Sequence, residues 1–434
     1  MRFHLSYVML ALSMLCFTAS AENVADPDTL YIPTRARILT GNAKSPNLPE
    51  LIEVYYNTED TYFNDPKAPR FLFLDREGKL ALGIGGQIYG TLQYDINGSI
   101  DDGSNFTTYD INVPNNPAMR QAFTGDASHS SLFLKMVGKT DRFGYFTAYI
   151  QTGFTGGSPG SYGLKLKQAY LSLSALTVGL TNSVFTDPAA GPPTIDTQGP
   201  CGQVSVKNVL MKYNPKFRNG LSAAISLEVP KVEETGFAGA SEQIKQRVPD
   251  IPAYIQYAWD GGGSHIRLSG LLRTLSYRNL LTAENRFQTG WGVQLSGVSN
   301  IPGTTLTAYW QGAYGAGYAH YMNDHSCGDF DLIYSAGNHG RMEAPHMLGL
   351  VGGLSYQVTP KVICSANYSY SRLYDAGHLG GDTYKHANYV AANVFYNPFD
   401  DLRFGVEYLW GQRHNYDGES GHANRVMALV QLSF

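Results

Sequence analysis

Residues Leu80–Asn97 read LALGIGGQIYGTLQYDIN. Leu82, Ile84, Ile88, Leu92, Tyr94 and Ile96 fall on one parity, and Gln87, Thr91, Gln93 and Asp95 on the other. Successive side chains of a strand point to opposite faces. The stretch therefore reads as one strand with an oily face and a polar face. It is far longer than the usual strand of about 5–6 residues.

The alternation returns along the chain. Val426, Ala428, Val430, Leu432 and Phe434 alternate with Arg425, Gln431 and Ser433. Phe404, Val406, Tyr408 and Trp410 alternate with Arg403 and Glu407, and Ile266, Leu268 and Leu272 with Arg267 and Arg273. A soluble sandwich also alternates, but its strands are short and its oily face points inward. Here the oily rows end in aromatics such as Tyr408, Trp410 and Tyr370, which suits interfacial girdles. Tight turns (Asp141–Gly144, Gly261–Gly263, Asn300–Gly303, Asn397–Asp400) alternate with the long stretches 98–126, 186–203, 230–250 and 316–346. The expected fold class is all-β: a transmembrane antiparallel barrel of about sixteen strands, with short periplasmic turns and long extracellular loops.

Composition agrees. The chain has 434 residues, and only 16% are charged, below the roughly 25% of ordinary soluble domains. An aromatic content of 12%, led by 30 Tyr, with a net charge of only −4 excludes intrinsic disorder. Arg2, the apolar run Leu5–Thr18 and Ala19-Ser20-Ala21 read as a signal peptide over residues 1–21. That run is too short for a membrane helix, which needs about 20 residues. Residues 22–79 read as a periplasmic strap or a plug, and 80–434 as the barrel. The net charge of −4 and the lack of a basic tail give no sign of nucleic acid. Cys201, Cys327 and Cys364 are an odd, scattered set, so no disulfide framework is expected.

A barrel of this size encloses water. Polar parity points Lys135, Lys139, Lys165, Lys167, Lys207, Arg267, Arg273, Arg403, Arg413 and Arg425 inward, against Asp95, Glu228 and Glu407. A low-dielectric wall lined by one sign concentrates the opposite ion. Lys165, Lys167, Lys207, Arg273, Arg413 and Arg425 fall in the outer half and read as an anion funnel. Four prolines bar regular structure from Thr186–Gln203. That loop is expected to fold inward and bring Asp187 and Asp196 to a constriction.

Motifs that imitate chemistry fail on physical grounds. Gly156-Gly157-Ser158-Pro159-Gly160 matches the nucleophile elbow, but Pro159 has no N–H to serve an oxyanion. His320, Asp324, His325, Cys327 and Asp329 share one loop, with no second fixed pair to complete a metal site. No catalytic residue, cofactor or metal is expected. Two alternatives stay open: a barrel enzyme acting at the rim, and a structural or adhesin barrel plugged by residues 22–70.

The C-terminal run Phe404–Phe434, the central Ser264–Arg273 strand with Pro249-Asp250, and Leu166–Tyr170 with Thr194–Asp196 and Gly199-Pro200 resemble the DcaP-like family of bacterial outer-membrane porins. The resemblance implies a homotrimeric diffusion porin in the outer-membrane lipid, passing small anions such as dicarboxylates. It implies lumen-facing Arg267, Arg273, Arg425, Glu407 and Glu228, and Phe434 as the signal read by the barrel-assembly machinery. There are two departures. Ile255 and Gln256 are apolar or neutral where the family's strands tend to be basic. The family's N-terminal coiled coil is missing, since residues 22–70 hold six prolines and no heptads.

Overall fold

The computed structural model describes residues 29–31, 37–40, 51–52, 54–55, 62–63, 65 and 71–75. It then describes 79–434 with breaks at 99, 101–104, 158–160, 216, 218, 237–238 and 338–339. The signal-peptide reading, most of the 22–79 segment and residues 158–160 of the elbow-like motif lie outside the described residues.

Sixteen strands form the wall. In chain order they are β1 Leu80–Asn97, β2 Ser131–Thr140, β3 Gly144–Gly156, β4 Gly163–Leu173, β5 Leu176–Asn182 and β6 Lys207–Tyr213. Next come β7 Leu221–Glu228, β8 Ile251–Trp259, β9 Ser264–Asn279, β10 Glu284–Asn300 and β11 Leu306–Ala316. The last are β12 His346–Thr359, β13 Val362–Leu373, β14 Tyr384–Phe399, β15 Leu402–Asn415 and β16 Ser420–Ser433. Neighbours pair antiparallel, and β16 returns to β1 with Arg425 opposite Asp95 and Ser433 opposite Gln87. Closure leaves no open edge, as a bilayer demands. The all-β barrel expected from the alternation is the fold that forms.

β1 extends below β16. Its lower half, Ala81–Ile84, pairs with Leu74–Phe71 instead. At the junction the backbones of Gly86 and Phe434 exchange hydrogen bonds of 2.9 and 3.0 Å. The long connections are 98–130, 183–206, 229–250 and 317–345, all at the end opposite the turns.

Exposure inverts the pattern of a soluble protein. On β1, Ile84 and Leu92 are 49% and 56% exposed, whereas Gln93 and Asp95 are 1% and 2%. The lumen itself is not simply open water. Loop residues Phe106, Ile111, Phe185, Ile195, Tyr318, Tyr321 and Phe330 pack against inward residues of β9 to β16 in two large apolar clusters. The interior on that side is a core.

An ion pair fastens the first loop to this core. Arg425 binds both oxygens of Asp95, at 2.7 and 3.1 Å, and donates to the Asn105 carbonyl at 2.9 Å. Removing one partner of such a buried pair costs about 3–5 kcal/mol. Arg425→Met should therefore lower the temperature at which the barrel loses its heat-modifiable gel mobility. Adding Asp95→Asn should recover part of the loss, and an unchanged transition would count against this anchor.

Candidate functional site

The loop between β5 and β6, residues 183–206, runs inside the barrel. Its prolines leave its backbone without a ladder, and buried amides need partners. Inward side chains of distant strands supply them. The Ile195 and Asp196 amides donate to Glu407 Oε2 and Oε1 at 2.9 and 2.8 Å. Ser365 and Asn393 donate to the Pro193 carbonyl, each at 2.8 Å, and Tyr89 donates to the Ile195 carbonyl at 2.7 Å. Gly202 lies so close to the β12–β13 wall that a Cβ there would sit 2.5 Å from the Tyr370 carbonyl oxygen. Only glycine permits that approach.

Both loop carboxylates are anchored. Asp187 accepts from His265 Nε2 at 2.9 Å and Ser296 Oγ at 2.6 Å, with Arg267 at 3.8 Å. Burial pushes the Asp187 carboxyl up, but Arg267 and His265 outweigh it and hold it at about 2. Asp196 accepts from the amides of Phe106, Gln198 and Gly199 and from Tyr389 Oη, at 3.0 to 3.1 Å.

The arginines and acids expected as lumen rungs are largely joined to one another or to loops. Arg273 meets Asp250 at 3.0 Å and Asp331 at 2.6 Å, and donates to the Gly317 carbonyl at 2.9 Å. Glu228 accepts from Ser183 Oγ, Val184 N, Ser226 Oγ and Asn208 Nδ2 at 2.8 to 3.0 Å. Arg413 lies over the Tyr109 ring and donates to Asp382 O at 3.3 Å. Arg267 lies over the Tyr254 ring and donates to Thr186 O at 3.0 Å. The expected funnel of outer-half rungs therefore needs correction. Arg273 and Arg425 are neutralised by buried carboxylates, because each is the receptor for an inward-folded loop.

His320, Asp324, His325, Cys327 and Asp329 likewise belong to a packed loop. Asp324 accepts from Thr108 Oγ1, and from Tyr384 Oη at 3.1 Å. Among the described residues no His, Cys, Asp and Glu gather in a metal-binding group.

A cavity of about 590 Å³ lies between this loop and the wall of β1, β3, β4 and β6. Lys165, Lys167 and Lys207 line it. None of the three has a carboxylate within 4.0 Å among the described residues. Lys167 donates to the His129 carbonyl at 3.4 Å, and Lys207 lies 5.5 Å from the Tyr62 ring. Lys135 lies off this cavity; it is buried and donates to the Tyr55 carbonyl at 2.5 Å. Lys139 lies over the Tyr145 ring.

Strand alternation gave no access to three further lining residues. Tyr62, Phe63 and Asp65 come from the N-terminal segment and line the same cavity. Tyr62 Oη is 3.0 Å from Ser205 Oγ, and Phe63 stacks 4.0 Å under the Arg403 guanidinium.

A closed barrel with an oily exterior, inward polar rows, inward loops and a lysine-lined cavity has the architecture of an outer-membrane channel. The family model described as a porin subfamily matches residues 87–430, and the chain belongs to that family. It is a porin of the bacterial outer membrane. No curated protein matches it by sequence. Among solved structures, the outer-membrane channel DcaP of Acinetobacter baumannii is similar at 20% identity and TM-score 0.71, over 82% of this chain and 98% of that one. An anion-selective porin from Comamonas acidovorans is similar at 11% identity and TM-score 0.51, over 82% and 100%. A loop-deletion mutant of OmpT from Vibrio cholerae is similar at 12% identity and TM-score 0.51, over 82% and 100%. The resemblance to DcaP-like porins read from the sequence thus stands at the level of family and fold.

The loop carboxylates carry a pH signature. Burial pushes Asp196 up to about 6 against its donated bonds, and it does the same to Asp324. Both lie above the usual value of about 3.9. The folded chain then holds protons that the unfolded chain has released, so stability falls as pH rises through about 6. The unfolding temperature should be higher at about pH 5 than at about pH 7.5. The Asp196→Asn, Asp324→Asn double variant should flatten that difference; an identical pH profile would contradict it.

Proposed function

We propose that this porin is a diffusion channel for small hydrophilic solutes that favours anions, dicarboxylates among them. The observation that carries the reading is the cluster of Lys165, Lys167 and Lys207 on one cavity, none with a carboxylate within 4.0 Å among the described residues, although Asp65 and Asp196 share the lining. A hydrated ammonium offers a passing anion a point charge and releases it readily. The low-dielectric wall strengthens that field. Loop 183–206 is the constriction, with Asp187 and Asp196 as its anchors. Arg267, Arg403 and Arg413 border the lumen as secondary charges. The mechanism is electrodiffusion and needs no covalent chemistry. By resemblance the assembly is a homotrimer, each copy with its own passage. Residues 1–21 read as the signal peptide, 22–79 as a periplasmic strap or plug and 80–434 as the barrel. Phe434 is the signal for the assembly machinery.

A second reading has its own support. Tyr62, Phe63 and Asp65 line the same cavity, which supports an N-terminal segment that narrows or plugs the barrel.

In planar bilayers the protein should give steps in groups of three and an anion-selective reversal potential under a salt gradient. Replacing Lys165, Lys167 and Lys207 with Gln should cut the anion/cation permeability ratio at least about fivefold, since a unit charge at about 4 Å is worth about 1 kcal/mol even in bulk water. An unchanged ratio would remove these lysines from the mechanism. Tyr62→Gly with Phe63→Gly should raise single-channel conductance; equal conductance would make the segment a bystander.

A further inference from the structure

The outer face of β13 to β16 carries an ordered gradient. Register places Arg372, His386 and His414 in one row, each directly opposite the next. The row beneath is Tyr370, Asn388, Gln412 and His422, and the next is Tyr368, Val390, Trp410 and Asn424. Below these the wall is Ala366, Ala392, Tyr408 and Val426, and then wholly apolar. These rows share the parity of the exposed Tyr368, Val394, Val406 and Val430, so they face away from the lumen. They lie at the end of the long loops.

Aromatic rows mark the membrane interface. Arg372, His386 and His414 stand one or two rows above them, at headgroup height, where an outward polar side chain costs least. No outward position of these four strands carries Asp or Glu. The side chains are also preorganised. The rings of His386 and His414 stack at 4.4 Å, and Tyr370 lies 5.7 Å from His386. The Arg372 guanidinium rests 4.6 Å from the Tyr374 ring. Arg372 Nε and His386 Nδ1 are shielded yet have no hydrogen-bond partner among the described residues. By contrast, the outward ends of β1, β4, β6 and β7 finish in Ile96, Leu164, Val209 and Leu227.

We propose that this row binds the phosphate groups of outer-leaflet lipid. A guanidinium and two imidazoles in one row, on strand positions without a carboxylate and just above an aromatic belt, fit an anionic headgroup whose acyl chains lie along the apolar rows below. The patch is independent of the lysine passage, so either can fail without the other.

The test is native mass spectrometry of the intact protein extracted in detergent. The probes are lipid A bearing two phosphates and its dephosphorylated counterpart. Wild type should retain the phosphorylated lipid preferentially. Arg372→Gln should reduce that adduct about fivefold, and adding His386→Gln and His414→Gln should reduce it further. Gel mobility and conductance should stay unchanged, because none of the three lines the passage. Equal adducts in wild type and triple variant would overturn the proposal. So would displacement of the lipid by inorganic phosphate, which would indicate a free-anion site. Loss of the trimer in the triple variant would also overturn it, by making the row a contact between copies.

Discussion

Inside a bilayer no water can satisfy a backbone N–H or C=O. Everything else in this molecule depends on that constraint. It forces the strands to close, so β16 pairs with β1 and the Phe71–Leu74 segment covers the lower half of β1. Closure makes one face of every strand an outer face, and lipid makes that face apolar. The polar residues have one place left, which is the lumen.

The lumen then has its own problem. Inward polar side chains in a narrow space need partners, and so do the backbones of long loops. Here each solves the other. Glu407 receives the amides of Ile195 and Asp196, Arg425 receives Asn105 beside Asp95, and Arg273 gathers Asp250, Asp331 and the Gly317 carbonyl. With those joints made, loop residues such as Phe106, Phe185 and Phe330 pack as a core on the β9 to β16 side. A cavity lies on the other side, toward β1, β3, β4 and β6.

Much of the wall was legible in the sequence because period two is a local signal. Leu82, Ile84 and Ile88 need no distant information to declare a face. The state of an inward charge was not legible in the same way. Arg425 and Lys167 look alike by parity, yet one is bound by Asp95, 330 positions away, and the other by no carboxylate among the described residues. Pairing at that separation is set by closure and loop folding, and alternation carries no trace of it. Tyr62, Phe63 and Asp65 escaped for a related reason: they belong to no strand, so no periodicity points them at the passage.

The division between arginine and lysine follows from their chemistry. A guanidinium presents five donors in a rigid fork and is weakly hydrated, so it suits several fixed acceptors at once. Arg273 and Arg425 each take two carboxylate contacts plus carbonyls, and both are fully buried. An ammonium is compact and strongly hydrated, and desolvating it in a fixed joint costs more than it returns. The lysines of β4 and β6 line the cavity instead, with no carboxylate within 4.0 Å among the described residues. The proposed selectivity thus rests on the charges the fold does not consume in joining its own loops.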